Sequence, residues 1–379
     1  MAVSLTASAS LNIQDRIQRM WAADQTQALR QYDNPVVTAQ RVFERQTMRF
    51  MPVMDDTGKC VSWKIWRPDL EDIQAQALYS STTPQSNDCD LPSGATVGTT
   101  SVTYAPNLYI VDKFQLSDDL CANDATFVEL SSVALSNVML KMRAEINKQT
   151  ILFLNTNATA NEDTAISGNA ENGFTIDGAK TVISQAAMND ASVLMKLQIT
   201  AASNRIPQYL ILDGTNLLLS KELAPYLGQN LDNRSTGSLY ADFAARYSSD
   251  LYDMDRIVAE NATFLANPNM IGYFNRAKYS TVATMIDSSK NLMAFKIADP
   301  FLTYSRTEVN ASGVVTARVN APVEYTVLYQ RTCTGSDANG YPYFMHKWQV
   351  FHEGGLLVGP KSDSDATGIL KFVRGDAGI

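Results

Sequence analysis

From Ala125 to Phe153 the chain runs without a glycine or a proline, and Val128, Leu135, Met139, Met142 and Ile146 recur along it at helical spacing. Asn123 or Asp124 can cap its start, because a short polar side chain there satisfies an orphan backbone N–H. At 1.5 Å per residue such a helix runs past about 35 Å, which is long for a globular protein. It ends in the polar run NTNATANEDTAISGNAENG. Whatever forms in the middle of this chain has to be built around that rod.

What flanks the helix is mostly extended. Val61, Trp63 and Ile65 alternate with Ser62 and Lys64, so Cys60 to Trp66 reads as a strand. A second extended stretch runs from Val102 to Phe114. Between the two lie residues 67–101, rich in Ser, Thr, Pro, Asn, Asp and Gly and centred on STTPQSNDCDLPSGATVGTT. A compact domain rarely spends so much chain on a structureless loop, so an ordered one has to pack against something outside its own domain. Upstream, residues 1–33 form a polar arm with one short amphipathic helix marked by Ile13, Ile17, Met20 and Trp21.

Downstream, a second helix is expected from near Asp177 through Val182, Ile183, Ala186, Val193, Leu194 and Leu197. Tyr209 to Asp213 reads as a short buried strand, with a helix over Thr215 to Leu227 behind it. Short strands are expected at Asp255–Glu260 and Ile271–Phe274, and longer β segments at Val314–Val319, Val323–Tyr329 and Tyr343–Phe351. The chain closes on GGLLVGP and GILKFV. The pattern suits an α+β fold without internal repeats.

Composition narrows the function. With 45% apolar and 18% charged residues among 379, the chain can bury a sizeable core and is not disordered. A net charge of −8 argues against a dedicated nucleic-acid binder. The first fifty residues run the other way, with six arginines (Arg16, Arg19, Arg30, Arg41, Arg45, Arg49) against Asp15, Asp24, Asp33 and Glu44. The N-terminus lacks a signal-peptide pattern, and no apolar run is long enough to span a membrane. Cys60, Cys89, Cys121 and Cys333 are scattered without a C-x-x-C pair, which fits a reducing compartment.

Catalytic signatures are missing. His346 and His352 are the chain's two histidines. Six residues apart on one strand face, they lie about 20 Å from each other and cannot share a metal. They read as packed or surface side chains rather than metal ligands. No G-x-S-x-G elbow and no dinucleotide fingerprint occurs. In Gly354 to Ser362 a proline stands where a phosphate loop needs backbone donors, so a β-turn is the better reading. Asp363, Asp365, Thr367 and Gly368 imitate a calcium loop, but Arg374 occupies the place of its bidentate glutamate. No cofactor and no metal is expected, and the chain does not read as an enzyme.

The layout resembles that of the major capsid proteins of tailed bacteriophages, the Hong Kong 97-type fold. NLYIVDKFQLSDDLCANDATFVELSSVALSNVMLKMRAEINKQTILFLN is similar to that family's returning strand of the extended loop (E-loop) running into the spine helix. RIPQYLILDGTNLLLSKELAPYL resembles its axial-domain strand, turn and helix. NPNMIGYFNRAKY is similar to a strand followed by a small-residue turn, and FHEGGLLVGPKSDSDATGILKF to the closing strand, turn and strand.

That resemblance implies an α+β architecture with an N-terminal arm, an E-loop hairpin, a spine helix in a peripheral domain, and an α/β axial domain. The implied divisions are an arm over 1–35, peripheral domain over 36–58, E-loop over 59–113 and peripheral domain with spine helix over 114–175. An axial domain over 176–300, peripheral β segments over 301–360 and a return to the axial domain over 361–379 complete them. It further implies self-assembly, as hexamers and pentamers, into an icosahedral virion shell around non-specifically held double-stranded DNA. Assembly in the host cytoplasm, a separate scaffolding protein, a portal and cement proteins belong to the same expectation, and a membrane does not.

Tyr79, Leu91, Pro92 and Val97 are the expected apolar anchors of the E-loop on a neighbouring subunit, because such side chains dominate interface energies. Ile13, Ile17 and Trp21 would anchor the arm on a neighbour, and Arg16, Arg19 and Arg30 would face DNA phosphates. With only about thirty-five residues before the first strand, no fused scaffolding segment is expected, and a separate scaffolding protein or scaffold-free assembly is implied. Covalent cross-linking through an E-loop lysine is not expected, since none lies between Lys64 and Lys113. Cys89 is read as a free or buried thiol rather than a disulfide partner. The competing readings are an encapsulin-like compartment, a soluble cytoplasmic α+β enzyme or small-molecule binder, and a phage tail or adhesin component.

Overall fold

The computed structural model describes residues 5–23, 37–46, 51–54, 61–69, 98–104, 106–118, 123–159, 173–184, 210–213, 258, 262–267, 271–309, 315–336, 342–358 and 368–375. The expected long helix is α3, Asp124–Asn157, with Asn123 accepting the Thr126 N–H as its cap. Among the described residues two shorter helices precede it, α1 (Ala7–Ala23) and α2 (Val37–Arg45).

Strands β1 (Met51–Met54), β2 (Val61–Asp69) and β3 (Gly98–Tyr104) form an antiparallel sheet in that order. β2 and β3 pair from Trp63↔Tyr104 to Asp69↔Gly98, so they are the two legs of a hairpin around 70–97. The stretch expected as one strand from Val102 to Phe114 is divided. β4 (Leu108–Ser117) leaves the hairpin and joins a second sheet.

That second sheet is ordered β10–β11–β12–β13–β4, with β9 also paired to β13. Its strands are β9 (Ile271–Arg276), β10 (Thr284–Asp287), β11 (Leu292–Val309), β12 (Val315–Ser336) and β13 (Pro342–Val358). The two segments expected at Val314–Val319 and Val323–Tyr329 are one continuous strand, β12. β11, which no sequence signal announced, runs 18 residues beside it. Along β13, His346, Trp348, Val350 and His352 turn inward while Lys347 and Gln349 face out, the period-two pattern of a half-buried strand. Trp348 packs against Phe114 (5.7 Å between ring centres), Phe127 of α3 (6.0 Å) and Tyr329 (4.7 Å). Each such buried side chain contributes about 1.5–3 kcal/mol.

A third sheet is ordered β5–β6–β14–β8–β7. It comprises β5 (Phe174–Asp177), β6 (Lys180–Ile183), β7 (Leu210–Asp213), β8 (Ala262–Ala266) and β14 (Ile369–Arg374). Two expectations change here. The start of the helix expected from Asp177 is instead the β5–β6 hairpin, with Asp177 opposite Lys180, and the rest of that helix, from Ala186 to Leu197, lies outside the described residues. Gly178 takes φ 58° at its turn, which a two-residue hairpin requires and which suits glycine. The strand expected at Asp255–Glu260 lies, apart from Val258, outside the described residues, and β8 follows it. The axial boundary drawn at 300 falls inside β11, because the chain already changes sheets between β8 and β9. The strand expected at 209–213 is β7, and the helix expected over 215–227 lies outside the described residues.

β14 lies parallel to β6 and antiparallel to β8, so the C-terminal segment closes the third sheet. The exit of α3 is tied to the same strand: Thr159 N–H donates to the Ile369 carbonyl at 2.8 Å, and Lys371 Nζ donates to Asn155 at 2.8 Å. The long helix therefore joins the two larger sheets, packing along β4 and β13 and ending on β14.

Candidate functional site

The buried polar groups sit where elements meet. His346 and His352 are both fully buried, as packed side chains should be. His346 lies between Asp118 (Nε2 to Oδ1, 2.9 Å) and the Tyr329 hydroxyl (2.7 Å from Nδ1), and Arg331 also donates to Asp118 at 3.1 Å. Burial pushes the His346 imidazole below its ordinary value, and the Asp118 carboxylate pulls back against that. His352 has a poorer setting for charge. Its Nδ1 faces the Asn275 amide nitrogen and its Nε2 the Tyr273 hydroxyl, each at 3.2 Å. Burial lowers it to about 4. This histidine stands where β13 exchanges β12 for β9 as its neighbour.

Two side-chain amides act as pieces of strand. Gln46, just past α2, donates to the carbonyls of Tyr273 (2.9 Å) and Ser305 (2.6 Å), and its Oε1 accepts the Tyr273 N–H. It thereby bridges β9 and β11, while Phe43 stacks on Tyr273 and Ala39 N–H donates to Asn147 of α3. Asn107 continues the β13 ladder beyond β4, giving its Nδ2–H to the Leu356 carbonyl and accepting the Leu356 N–H. Neither residue carries a sequence signal. Arg143 does, because a cation sits among the apolar positions of α3 between Met142 and Ile146. It is held by Asp299 in a bidentate pair, 2.8 and 3.1 Å.

Among the described residues no group of three His, Cys, Asp or Glu side chains could hold a metal, and no helix is long and apolar enough to cross a membrane. Most members of the polar clusters pair with one another at junctions between elements, although Arg331 Nε and Trp348 Nε1 are buried without a hydrogen-bond partner among the described residues.

The arm departs from expectation. Ile13, Ile17 and Trp21 do line one face of α1, but that face is spent on the chain's own core, at 0, 1 and 5% exposure. Trp21 Nε1 donates to Ser136 of α3 and the ring stacks on Phe301. A short amphipathic helix seeks the nearest apolar surface, and small Ser132 and Ser136 on α3 leave room for one. So placed, these side chains have no free surface for a neighbour. The arm arginines are also engaged: Arg16 pairs with Glu129 of α3 and Arg19 with Asp15, each at 2.8 Å. Arg30 and the E-loop positions Tyr79, Leu91, Pro92, Val97 and Cys89 lie outside the described residues.

Leu11 of α1 is 47% exposed, and further exposed apolar side chains lie on the second sheet. On the outer face of the second sheet Tyr109 and Val111 are 62% and 42% exposed, with Phe351 beside Tyr109 at 5.9 Å. Lys113 and Lys347 lie exposed on the same face.

No family model matches the chain, and no curated protein matches it. Among solved structures, a chain of Mycobacterium phage Adephagia is similar over 89% of this chain and 90% of its own, at 11% identity and TM-score 0.39. A chain of Mycobacterium phage Che8 matches over 86% and 93%, at 12% identity and TM-score 0.38. A chain from the capsid structure of the cyanophage P-SCSP1u matches over 88% of both, at 10% identity and TM-score 0.34. The solved structures similar to this chain thus include a phage capsid structure.

Proposed function

We propose that this chain is the major capsid protein of a tailed bacteriophage and assembles with copies of itself into an icosahedral shell around double-stranded DNA. One observation carries the reading: the order of elements. An arm helix, a hairpin whose legs β2 and β3 enclose residues 70–97, a 34-residue helix, a long antiparallel sheet and a C-terminal strand returning to a smaller sheet follow one another as the sequence resemblance implies. The pairing of buried polar groups across the junctions between elements, as in Arg143–Asp299 and His346–Asp118, supports a structural role.

A shell needs many contacts that are individually modest, because closure makes them act together. Residues 68–97 carry Asp69, Glu71, Asp72, Asp88 and Asp90 and no Lys or Arg. Their charge is complementary to the outer sheet face, where Lys113 and Lys347 flank Tyr109, Val111 and Phe351. Tyr79, Leu91, Pro92 and Val97 would supply the loop's apolar anchors on an adjacent subunit. DNA contact would be weak and local. Arg19, whose pair with Asp15 is solvent-exposed and easily exchanged, is the described arm arginine best placed for a phosphate.

Negative-stain electron microscopy of the purified protein, beside its elution from a sizing column, tests the reading. Closed shells or tubes are expected. A chain that stays monomeric or dimeric, and also fails to assemble with scaffolding protein or crowding agents, refutes it.

A further inference from the structure

We propose that α1 is a seal whose docking sets the strength of the joint between the long helix and the second sheet. The inference goes beyond the shell reading and does not depend on it. Arg143 of α3 and Asp299 of β11 bury their charges together, with side chains 5% and 0% exposed. The pairing of β11 with β12 is interrupted between Ala298 and Thr303, and Pro300 lies in that bulge. The bulge turns the Asp299 carboxylate inward. There it accepts the Phe301 and Leu302 N–H groups at 2.9 and 3.0 Å and the Tyr325 hydroxyl at 2.9 Å.

The carboxylate is thus satisfied by its own sheet. The guanidinium is covered differently, by two rings: Trp21 at 4.5 Å and Phe301 at 5.2 Å from its carbon to the ring centres. Phe301 belongs to the bulge itself, whereas Trp21 belongs to α1. The bonds that seat α1 run through side chains. Trp21 donates to Ser136, Ser10 Oγ accepts the Ala283 N–H at 3.1 Å, and Gln14 donates to the Thr281 carbonyl at 2.6 Å. Arg16 reaches Glu129 at the surface. Withdrawing α1 would therefore leave α3 and β11 intact while letting water reach Arg143.

The consequence follows from how ion pairs depend on their surroundings. A buried pair tolerates no loss of one partner, because the other charge is then stranded. A hydrated pair loses little on the same change. Docked α1 holds the joint in the first regime, and released α1 moves it to the second. Trp21 is a positioning residue here, acting through Arg143.

A double-mutant cycle on the full-length chain tests this, with urea unfolding of Trp21→Ala, Asp299→Asn and the double variant. Asp299→Asn should cost about tenfold less in folding equilibrium constant on the Trp21→Ala background than in the wild type. Trp21→Phe, which keeps a ring over the guanidinium, should retain most of the wild-type penalty. An equal loss on both backgrounds overturns the proposal. Should Trp21→Ala fail to fold, native-state modification of Arg143 by phenylglyoxal, read by peptide mass spectrometry, decides. Ile17→Asp should raise the rate at Arg143 about tenfold, with Arg276, paired to Glu353, as the unchanged control. An unchanged rate at Arg143 in a folded Ile17→Asp chain likewise overturns it.

Discussion

Acidification should loosen the chain at His352 before it protonates any ordinary folded carboxylate. The imidazole is fully buried and meets an amide nitrogen, a phenol and backbone, without a carboxylate partner among the described residues. Its folded value is about 4 against the ordinary 6.5. Between those two pH values the unfolded chain binds a proton that the folded chain refuses, so stability rises with pH across the window and is lost as pH falls through it. Above 6.5 the contribution is complete; below about 4 it is gone, and further acid takes nothing more through this group. Each pH unit in the window is worth about 1.4 kcal/mol, so the whole descent costs about 3 kcal/mol.

That loss is a sizeable fraction of a typical domain's stability. The assay is urea unfolding of the unassembled subunit at pH 7.5 and 4.5, followed by tryptophan fluorescence, for the wild type and His352→Gln. Glutamine keeps a polar group facing Tyr273 but cannot titrate. Surface carboxylates and His346 change alike in both chains and cancel in the difference. The wild type should lose about 3 kcal/mol more than the variant between the two pH values. Equal losses would show that burial does not hold the His352 proton off, and the reasoning fails.

Gln46→Ala should cost about 3 kcal/mol in the same unfolding assay at neutral pH, because it strands the Tyr273 N–H and two carbonyls in a buried seam between β9 and β11. Gly354→Ala should cost about 1–3 kcal/mol, since a Cβ there would lie 2.7 Å from the Phe274 carbonyl oxygen and 2.9 Å from His352 Nε2. Deleting residues 80–100 should leave a chain whose far-ultraviolet dichroism and unfolding midpoint are near wild type but which no longer closes shells under the electron microscope. Particles boiled in reducing detergent should release only monomer on a gel, and a ladder of covalent oligomers would contradict the reading drawn from the missing E-loop lysine.

Much of this protein is legible one segment at a time. The absence of Gly and Pro, the polar cap at Asn123 and the apolar spacing from Val128 to Ile146 specify α3 because helix geometry is local. Period-two alternation does the same for β2 and β13, and it puts both histidines on the same face. The Asp177-Gly178 pair was an available hairpin signal, yet Val182 and Ile183 fit a helical spacing as well, and over so few residues the two periods do not separate.

Other features have no local cause. An amphipathic α1 announces that Ile13, Ile17 and Trp21 will be buried, but not against which surface; the small serines of α3 decided that, and they are far away in sequence. Arg143 stands out as a cation in an apolar stripe, while its partner Asp299 becomes one only because the β11 bulge turns it inward. Gln46 and Asn107 look like any exposed amide until two strands end beside them and leave backbone groups to be satisfied. Periodicity determines which face of an element is buried. What that face meets depends on packing between segments that share no sequence neighbourhood, and only the tertiary structure supplies it.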